Sequence, residues 1–326
     1  MLLLTIIAVA LLFDYTNGFH DTANAIATSV STRALSPRVA VLMAALLNMA
    51  GAFVGKKVAE TVGKGIIETG GVTLELILAA VIGAVAWNLI TWYFGIPSSS
   101  SHALIGGLVG AALAKDGLHL VLWGGVVEKV ILPMIASPAL GFIIAFVVMT
   151  LLLWLVRRWP PGPVNRWFRL LQPISAAFMA FSHGRNDAQK TMGVITLALV
   201  ASGHLTDFNI PLWVVFSCAG AMALGTYSGG WRIIHTLGSK VIKLDPIHGF
   251  AAETSAATVI QIATSLGFPV STTHTITTAI MGVGATKRLS AVRWGVAGNI
   301  ITAWVLTLPA AALIAGASFL VLSLFM

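Results

Sequence analysis

The chain has 326 residues, of which 57% are hydrophobic and only 9% charged, and it carries a formal net charge of +8. Soluble domains average about 25% charged residues, so this composition, with a mean hydropathy of +0.93, excludes a water-soluble fold and points to one polytopic membrane domain. The single cysteine, Cys218, excludes an intramolecular disulfide.

In chain order, Met1–Phe13 is apolar without the basic start of a secretory signal and reads as part of the first helix. It runs directly into Asp14-Tyr15-Thr16-Asn17-Gly18-Phe19-His20-Asp21-Thr22-Ala23-Asn24, a dense polar stretch where a membrane helix should be apolar. Ionisable residues inside a membrane are costly and mark functional sites by default; for Asp21 the structural alternative is a helix cap. Arg33 and Arg38, then Lys56 and Lys57, mark loops or helix ends.

The stretch Leu76–Ala114 is 39 residues long and contains no formal charge. As one helix it would extend about 58 Å at 1.5 Å per residue, nearly twice a ~30 Å hydrocarbon core, so it must turn. The break falls at Gly95-Ile96-Pro97-Ser98, because Pro removes a donor and restricts the residue before it. Such backbone is tolerated at membrane depth only when buried in protein or lining a wet cavity. The helix that restarts there offers unpaired N–H groups and the positive end of its dipole, beside Ser99, Ser100, Ser101 and His102. Hydroxyls and a helix N-terminus suit a tetrahedral oxyanion; the alternative is that these residues only cap or pack helices.

A further span follows in Val130–Val156, and then Arg157, Arg158, Arg166 and Arg169 crowd a Pro-rich segment. The positive-inside bias makes that segment cytoplasmic and divides the chain into residues 1–156, a basic linker 157–171, and residues 172–326. The second part carries Ser182-His183-Gly184-Arg185-Asn186-Asp187-Ala188-Gln189-Lys190, where Asp187 can pair with Arg185 or Lys190, and either base can equally hold an anion. Glu253 precedes a second uncharged run, Thr254–Thr286, which breaks at Gly267-Phe268-Pro269 ahead of Ser271, Thr272, Thr273 and His274. Lys287, Arg288 and Arg293 mark another loop before the final apolar span.

The two parts are copies. Asp187 lies 166 positions after Asp21, Pro269 lies 172 after Pro97, and Trp294 and Pro309 each lie 171 after Trp123 and Pro138. Four anchors in one order with nearly constant spacing indicate duplication, and duplicated membrane folds place substrate at the repeat interface on interrupted helices. An odd number of crossings in each half, once the hairpin is discounted, favours inverted repeats. The expected fold is therefore all-α and polytopic, with two inverted repeats, a re-entrant hairpin in each, and about 10–12 membrane segments. Carboxylate and amide oxygens are hard ligands for Na⁺, or the acids take a proton. A cation or proton at Asp21 and Asp187 would lift their repulsion of an anion, so each ligand favours the other. Without a Gly-x-Ser-x-Gly elbow or a zinc motif, the Ser, His and Asp residues read as binding groups and the chain is not expected to be an enzyme.

These motifs resemble a known family. The segments around Asp21 and Asp187 look like the paired signatures of the PiT family of inorganic phosphate transporters, and the two Pro–Ser/Thr–His segments are similar to its hairpin motifs. Gly229-Gly230-Trp231-Arg232-Ile233-Ile234 and Gly249-Phe250-Ala251-Ala252-Glu253 also match its bacterial members, so the resemblance spans essentially the whole chain. It implies phosphate import by symport with H⁺ or Na⁺ in a bacterial inner membrane, by an integral, multi-pass and often homodimeric protein surrounded by lipid. No cofactor and no nucleic acid are implied. Phosphate would meet Ser99, Ser100, Ser101, Ser271, Thr272, Thr273, Asp21 and Asp187. Cation binding and coupling would fall to Asp21, Asn24, Asn186, Asp187 and Glu253, with Na⁺ at the first four. Because some relatives carry sulfate or neutral metal–phosphate complexes, such a permease is the nearest rival, and an anion channel is a more distant one.

Overall fold

The computed structural model describes residues 1–325, and among them it contains helices and one isolated bridge between Ile67 and Val121. Twelve helical elements follow one another. The first six are α1 (Leu2–Ser31), α2 (Pro37–Ala52), α3 (Lys57–Lys64), α4 (Leu74–Phe94), α5 (Ser100–Asp116) and α6 (Trp123–Val156). The second six are α7 (Pro161–Ala201), α8 (Leu212–Ser228), α9 (Trp231–Lys240), α10 (Pro246–Ser265), α11 (Thr272–Ala285) and α12 (Trp294–Leu322). Each element of the first set has its counterpart six elements later. The bends repeat as well: α2 meets α3 at 72°, and α8 meets α9 at 60°.

Among the described residues five helices are long and apolar enough to cross a membrane, or seven with the two bent pairs counted as spans. The others, α7, α10 and α11, are more polar because they carry much of the chemistry described below, and including them gives ten segments. The four arginines of the basic segment sit where α6 ends and α7 begins: Pro161 occupies the first turn of α7, the position where its missing N–H costs least. In each half the α4–α5 or α10–α11 hairpin returns the chain to its starting side. The remaining crossings are odd in number, so the second repeat runs inverted with respect to the first.

The two halves are interlocked. α1 packs on α8 and α7 packs on α2; α5 lies on α12 and α11 on α6. These cross-repeat contacts rest on close approaches of small residues, the packing mode that lipid-embedded helices favour. At Gly18 an added Cβ would overlap the Met222 carbonyl of α8, and at its counterpart Gly184 it would overlap the Asn48 carbonyl of α2. Both glycines stand within one turn of the aspartates, so the tight crossings draw α1 and α7, and the polar residues on them, into the protein interior.

The two uncharged runs break where the sequence predicts. Gly95 closes α4 in the left-handed conformation at φ 66°, and Gly267 takes the same role after α10 at φ 84°. Pro97 and Pro269 follow in the turns. The two tips then meet: Ser101 Oγ donates to the Val270 carbonyl at 3.2 Å, and the rings of His102 and His274 stand 4.8 Å apart.

Candidate functional site

Four helices carry the site: α1 and α7 supply the acids, and the starts of α5 and α11 supply the hydroxyls. Asp21 and Asp187, far apart in sequence, converge at the centre. One ligand atom from each, together with one ring nitrogen of His183, lies within 4.8 Å of the others, and all three residues are buried. Two carboxylates this close and out of water repel each other strongly and need compensating charge or donors.

The compensation differs between the halves. His20 Nδ1 stands 2.8 Å from Asp21 Oδ1, its Nε2 lies 3.1 Å from Thr91 Oγ1, and Thr273 Oγ1 donates to Asp21 at 3.2 Å. Asn24 Nδ2 donates to Thr273 Oγ1 at 2.9 Å and to Thr272 Oγ1 at 3.2 Å. Asp187 is held instead by Lys190, whose Nζ lies 2.6 Å from its Oδ1, with His183 Nε2 3.4 Å from its Oδ2. Asn186 donates to Thr264 Oγ1 at 2.7 Å and to the Phe268 carbonyl at 3.2 Å, which ties α7 to the second hairpin.

The hydroxyls divide into two groups. Ser99 and Ser271 are N-caps: their side chains accept from the backbone N–H groups of His102 and His274 at 3.2 and 3.1 Å. Ser100 and Ser101, and Thr272 and Thr273, occupy the first helical turns, where N–H groups lack intrahelical partners. All four are buried. Among the described residues, site atoms without a hydrogen-bond partner include Asn24 Oδ1, Asn186 Oδ1, Asp187 Oδ2, Ser100 Oγ and His183 Nε2. Buried polar groups are almost always paired, so these atoms are candidates for contact with a ligand. A hydroxyl and helix N-termini suit an oxyanion, while amide and carboxylate oxygens suit a cation.

Glu253 does not join this centre. It accepts from Thr28, from Ser29 at 2.6 Å, from Ser175, and from Gln172 Nε2 at 3.2 Å. Thr28 lies two turns along α1 from Asp21, about 10 Å at 1.5 Å per residue, so Glu253 of α10 forms a second buried polar cluster, shared with α1 and α7. Sequence reasoning did not single out His20, His183, Gln172 or Ser175 as members of either group. The histidines stand inside the quoted motifs, a signal that was available. Gln172 and Ser175 are separated by one helical turn just beyond the arginine-rich segment, and only the packing of α7 on α10 joins them to Glu253.

Two basic cavities lead toward the hairpin breaks. One, of about 370 Å³, is lined by Lys57, Lys64 and Lys129 with one acid, Glu60, beside Gly267 and Phe268; the other, of about 480 Å³, by Gly95, Arg232, His235 and Lys240. Each pairs a hairpin break with the short bent helix of the opposite repeat, so inversion places them on opposite faces.

Known proteins resemble the chain over its whole length. The Phosphate transporter family matches residues 17–162 and 157–315, one copy in each half. A protein of Rhizobium meliloti (strain 1021), named a probable low-affinity inorganic phosphate transporter, is 56% identical over 96% of this chain and 94% of its own length. One of Bacillus subtilis (strain 168) with the same name is 46% identical over 99% of this chain and 98% of its own. Among solved structures, one described as the sodium-dependent phosphate transporter superposes with a TM-score of 0.91 at 27% identity, covering 100% of both chains.

Proposed function

The chain belongs to the phosphate transporter family, and we propose that it imports inorganic phosphate by symport with a cation, H⁺ or Na⁺, through alternating access to one site at the repeat interface. The observation that carries this reading is the convergence of Asp21 and Asp187 beside two facing hairpin tips that hold unpartnered buried polar atoms. Ser100, Ser101, Thr272 and Thr273 are the phosphate donors in this reading, together with the N-termini of α5 and α11. Ser99 and Ser271 act through the caps that orient those turns. Asp21, Asn24, Asn186 and Asp187 hold the cation, and Glu253 is a second coupling group 10 Å or so along α1. The orphaned amide oxygens of Asn24 and Asn186 favour Na⁺, since an amide oxygen accepts a metal ion readily and a proton poorly.

Cation binding removes the repulsion between the paired acids and the anion, so the two ligands enter together by linkage. The two basic cavities supply access from opposite faces and raise the local anion concentration. In this reading residues 1–156 and 172–326 are the cores of the two repeats, and the arginines of 157–171, at the end of α6 and in the opening turns of the continuous helix α7, face the cytoplasm of a bacterial inner membrane. A homodimer surrounded by lipid is part of this reading, as the family resemblance implies. The arrangement supports binding and release rather than bond-making.

Uptake of labelled phosphate into proteoliposomes, competed with sulfate under separate Na⁺ and pH gradients, tests the proposal. Cation-driven phosphate uptake that resists excess sulfate is expected, together with its loss, by at least tenfold, in Asp21→Asn and Asp187→Asn proteins that still fold. Uptake of sulfate in place of phosphate overturns the reading in favour of a sulfate permease on the same scaffold. Wild-type uptake by both variants would leave the acids with a structural role only.

A further inference from the structure

Three polar positions of the site differ between the repeats, Asn17/His183, His20/Asn186 and Asn24/Lys190, and only the last exchanges a neutral side chain for a lysine. Lys190 is the counterpart of Asn24, at the same spacing of 166 residues that relates Asp187 to Asp21, and Ser101 is the counterpart of Thr273, at the spacing of the hairpins. The contacts follow the sequence symmetry. In the first half Asn24 Nδ2 donates to Thr273 Oγ1 at 2.9 Å. In the second, Lys190 Nζ donates to Ser101 Oγ, to the Val270 carbonyl at 3.1 Å, and to Asp187 Oδ1 at 2.6 Å. An amide therefore stands beside one aspartate and an ammonium beside the other. The difference extends to the unpaired atoms: Asn24 keeps a free amide oxygen, whereas Lys190 has no acceptor to offer a cation. Lys190 is 1% exposed, and no other lysine or arginine is buried.

We propose that the Lys190 ammonium is a tethered cation that permanently takes the place of one cation in a duplicated site, so that Asp21, Asn24, Asn186 and Asp187 together hold one mobile cation fewer than a symmetric site would. The inference rests on the reading of the site as a cation-coupled phosphate site. Its physical basis is charge balance. Asp21, Asp187 and Lys190 carry a formal charge of minus one together, where a symmetric pair of asparagines would leave minus two; Asp14 of α1, a further buried acid near Asp187 and Lys190, is common to both cases. An uncompensated charge buried at this depth is strongly unfavourable. A symmetric site would thus need one more mobile cation before an anion could enter. Lys190 lowers the number of cations carried with each phosphate by one, and does so with a group that also links α7 to both hairpin tips.

The test is thermodynamic. In proteoliposomes with the membrane potential clamped at zero, the equilibrium phosphate gradient is measured against imposed Na⁺ gradients and, separately, pH gradients. The slope of log phosphate ratio against log cation ratio is the number of cations coupled. Lys190→Asn, which restores the symmetry, should raise that slope by one in one of the two arms, so that a tenfold cation gradient holds a tenfold larger phosphate gradient than in wild type. Lys190→Arg, which keeps the charge, should retain the wild-type slope at a reduced rate. An unchanged slope in Lys190→Asn overturns the proposal. If that variant turns over too slowly, calorimetric phosphate binding at increasing NaCl decides: a steeper dependence on Na⁺ or pH than wild type supports the tethered cation. Failure to bind phosphate at any NaCl concentration or pH, in protein that elutes as folded, makes Lys190 a phosphate ligand and overturns it. Absence of phosphate uptake by the wild type would instead sink the underlying function, a separate outcome.

Discussion

At the scale of single residues, the Ser/Thr clusters show how one short motif divides its labour. Ser99 and Ser271 satisfy backbone N–H groups and fix the helix starts, whereas Ser100 has a free hydroxyl and Thr272 receives only the Asn24 amide. Replacing Ser99 or Ser271 with Ala should therefore lower stability by about 0.5–2 kcal/mol, the usual worth of an N-cap, and be seen as a lower melting temperature. Replacing Ser100 and Thr272 with Ala should leave melting nearly unchanged and weaken phosphate binding by roughly 1 kcal/mol each, about fivefold, the net worth of a hydrogen bond. Calorimetry on the four variants separates the two effects; equal losses of affinity from cap and non-cap residues would contradict the division. The sequence singles out Ser99, Ser100, Ser101, Ser271, Thr272 and Thr273 together and cannot distinguish a cap from a ligand among them, because Ser serves both purposes and only backbone geometry decides between them.

At the scale of elements, the hairpins were legible in the sequence for a physical reason. A 39-residue uncharged run cannot cross a ~30 Å core as one helix, and Gly-x-Pro is the only local stop within it. The structure adds the mechanism of the stop, a left-handed Gly95 and Gly267. At Gly95 an added Cβ would approach nothing closer than Arg232 Cβ at 3.4 Å, so space is not limiting and the cost of Gly95→Ala is conformational. About 1–2 kcal/mol is expected from forcing an L-residue into that region, measured as a fall in thermal stability, with a matching fall for Gly267→Ala. No change in either variant would show that the turns rearrange freely. The element that the sequence did not reveal is α7 as one 41-residue helix. Its arginine-rich opening, its polar centre around Asp187 and its Pro173 all read locally as interruptions. Packing of α2, α3 and α10 along its length sustains the helix through them.

At the scale of the whole molecule, duplication could be read from four anchors, but the interlocking of the halves could not. That α1 pairs with α8 and α7 with α2 depends on close approaches at Gly18 and Gly184, and linear spacing carries no trace of which helix fills each gap. The consequence is functional: because each repeat packs its acid-bearing helix into the other, Asp21 and Asp187 share one site instead of forming two. Glu253 shows the reverse case, a residue that the family resemblance groups with the aspartates and the fold places in its own pocket with Gln172 and Ser175. The shared site is the central claim, and a structure of the protein determined with phosphate bound tests it most directly. The account predicts one phosphate per chain, lying between the starts of α5 and α11 and in contact with Ser100 and Thr272, with Asp21 and Asp187 on its far side. Phosphate bound separately in each half, or confined to the two basic cavities, would contradict it.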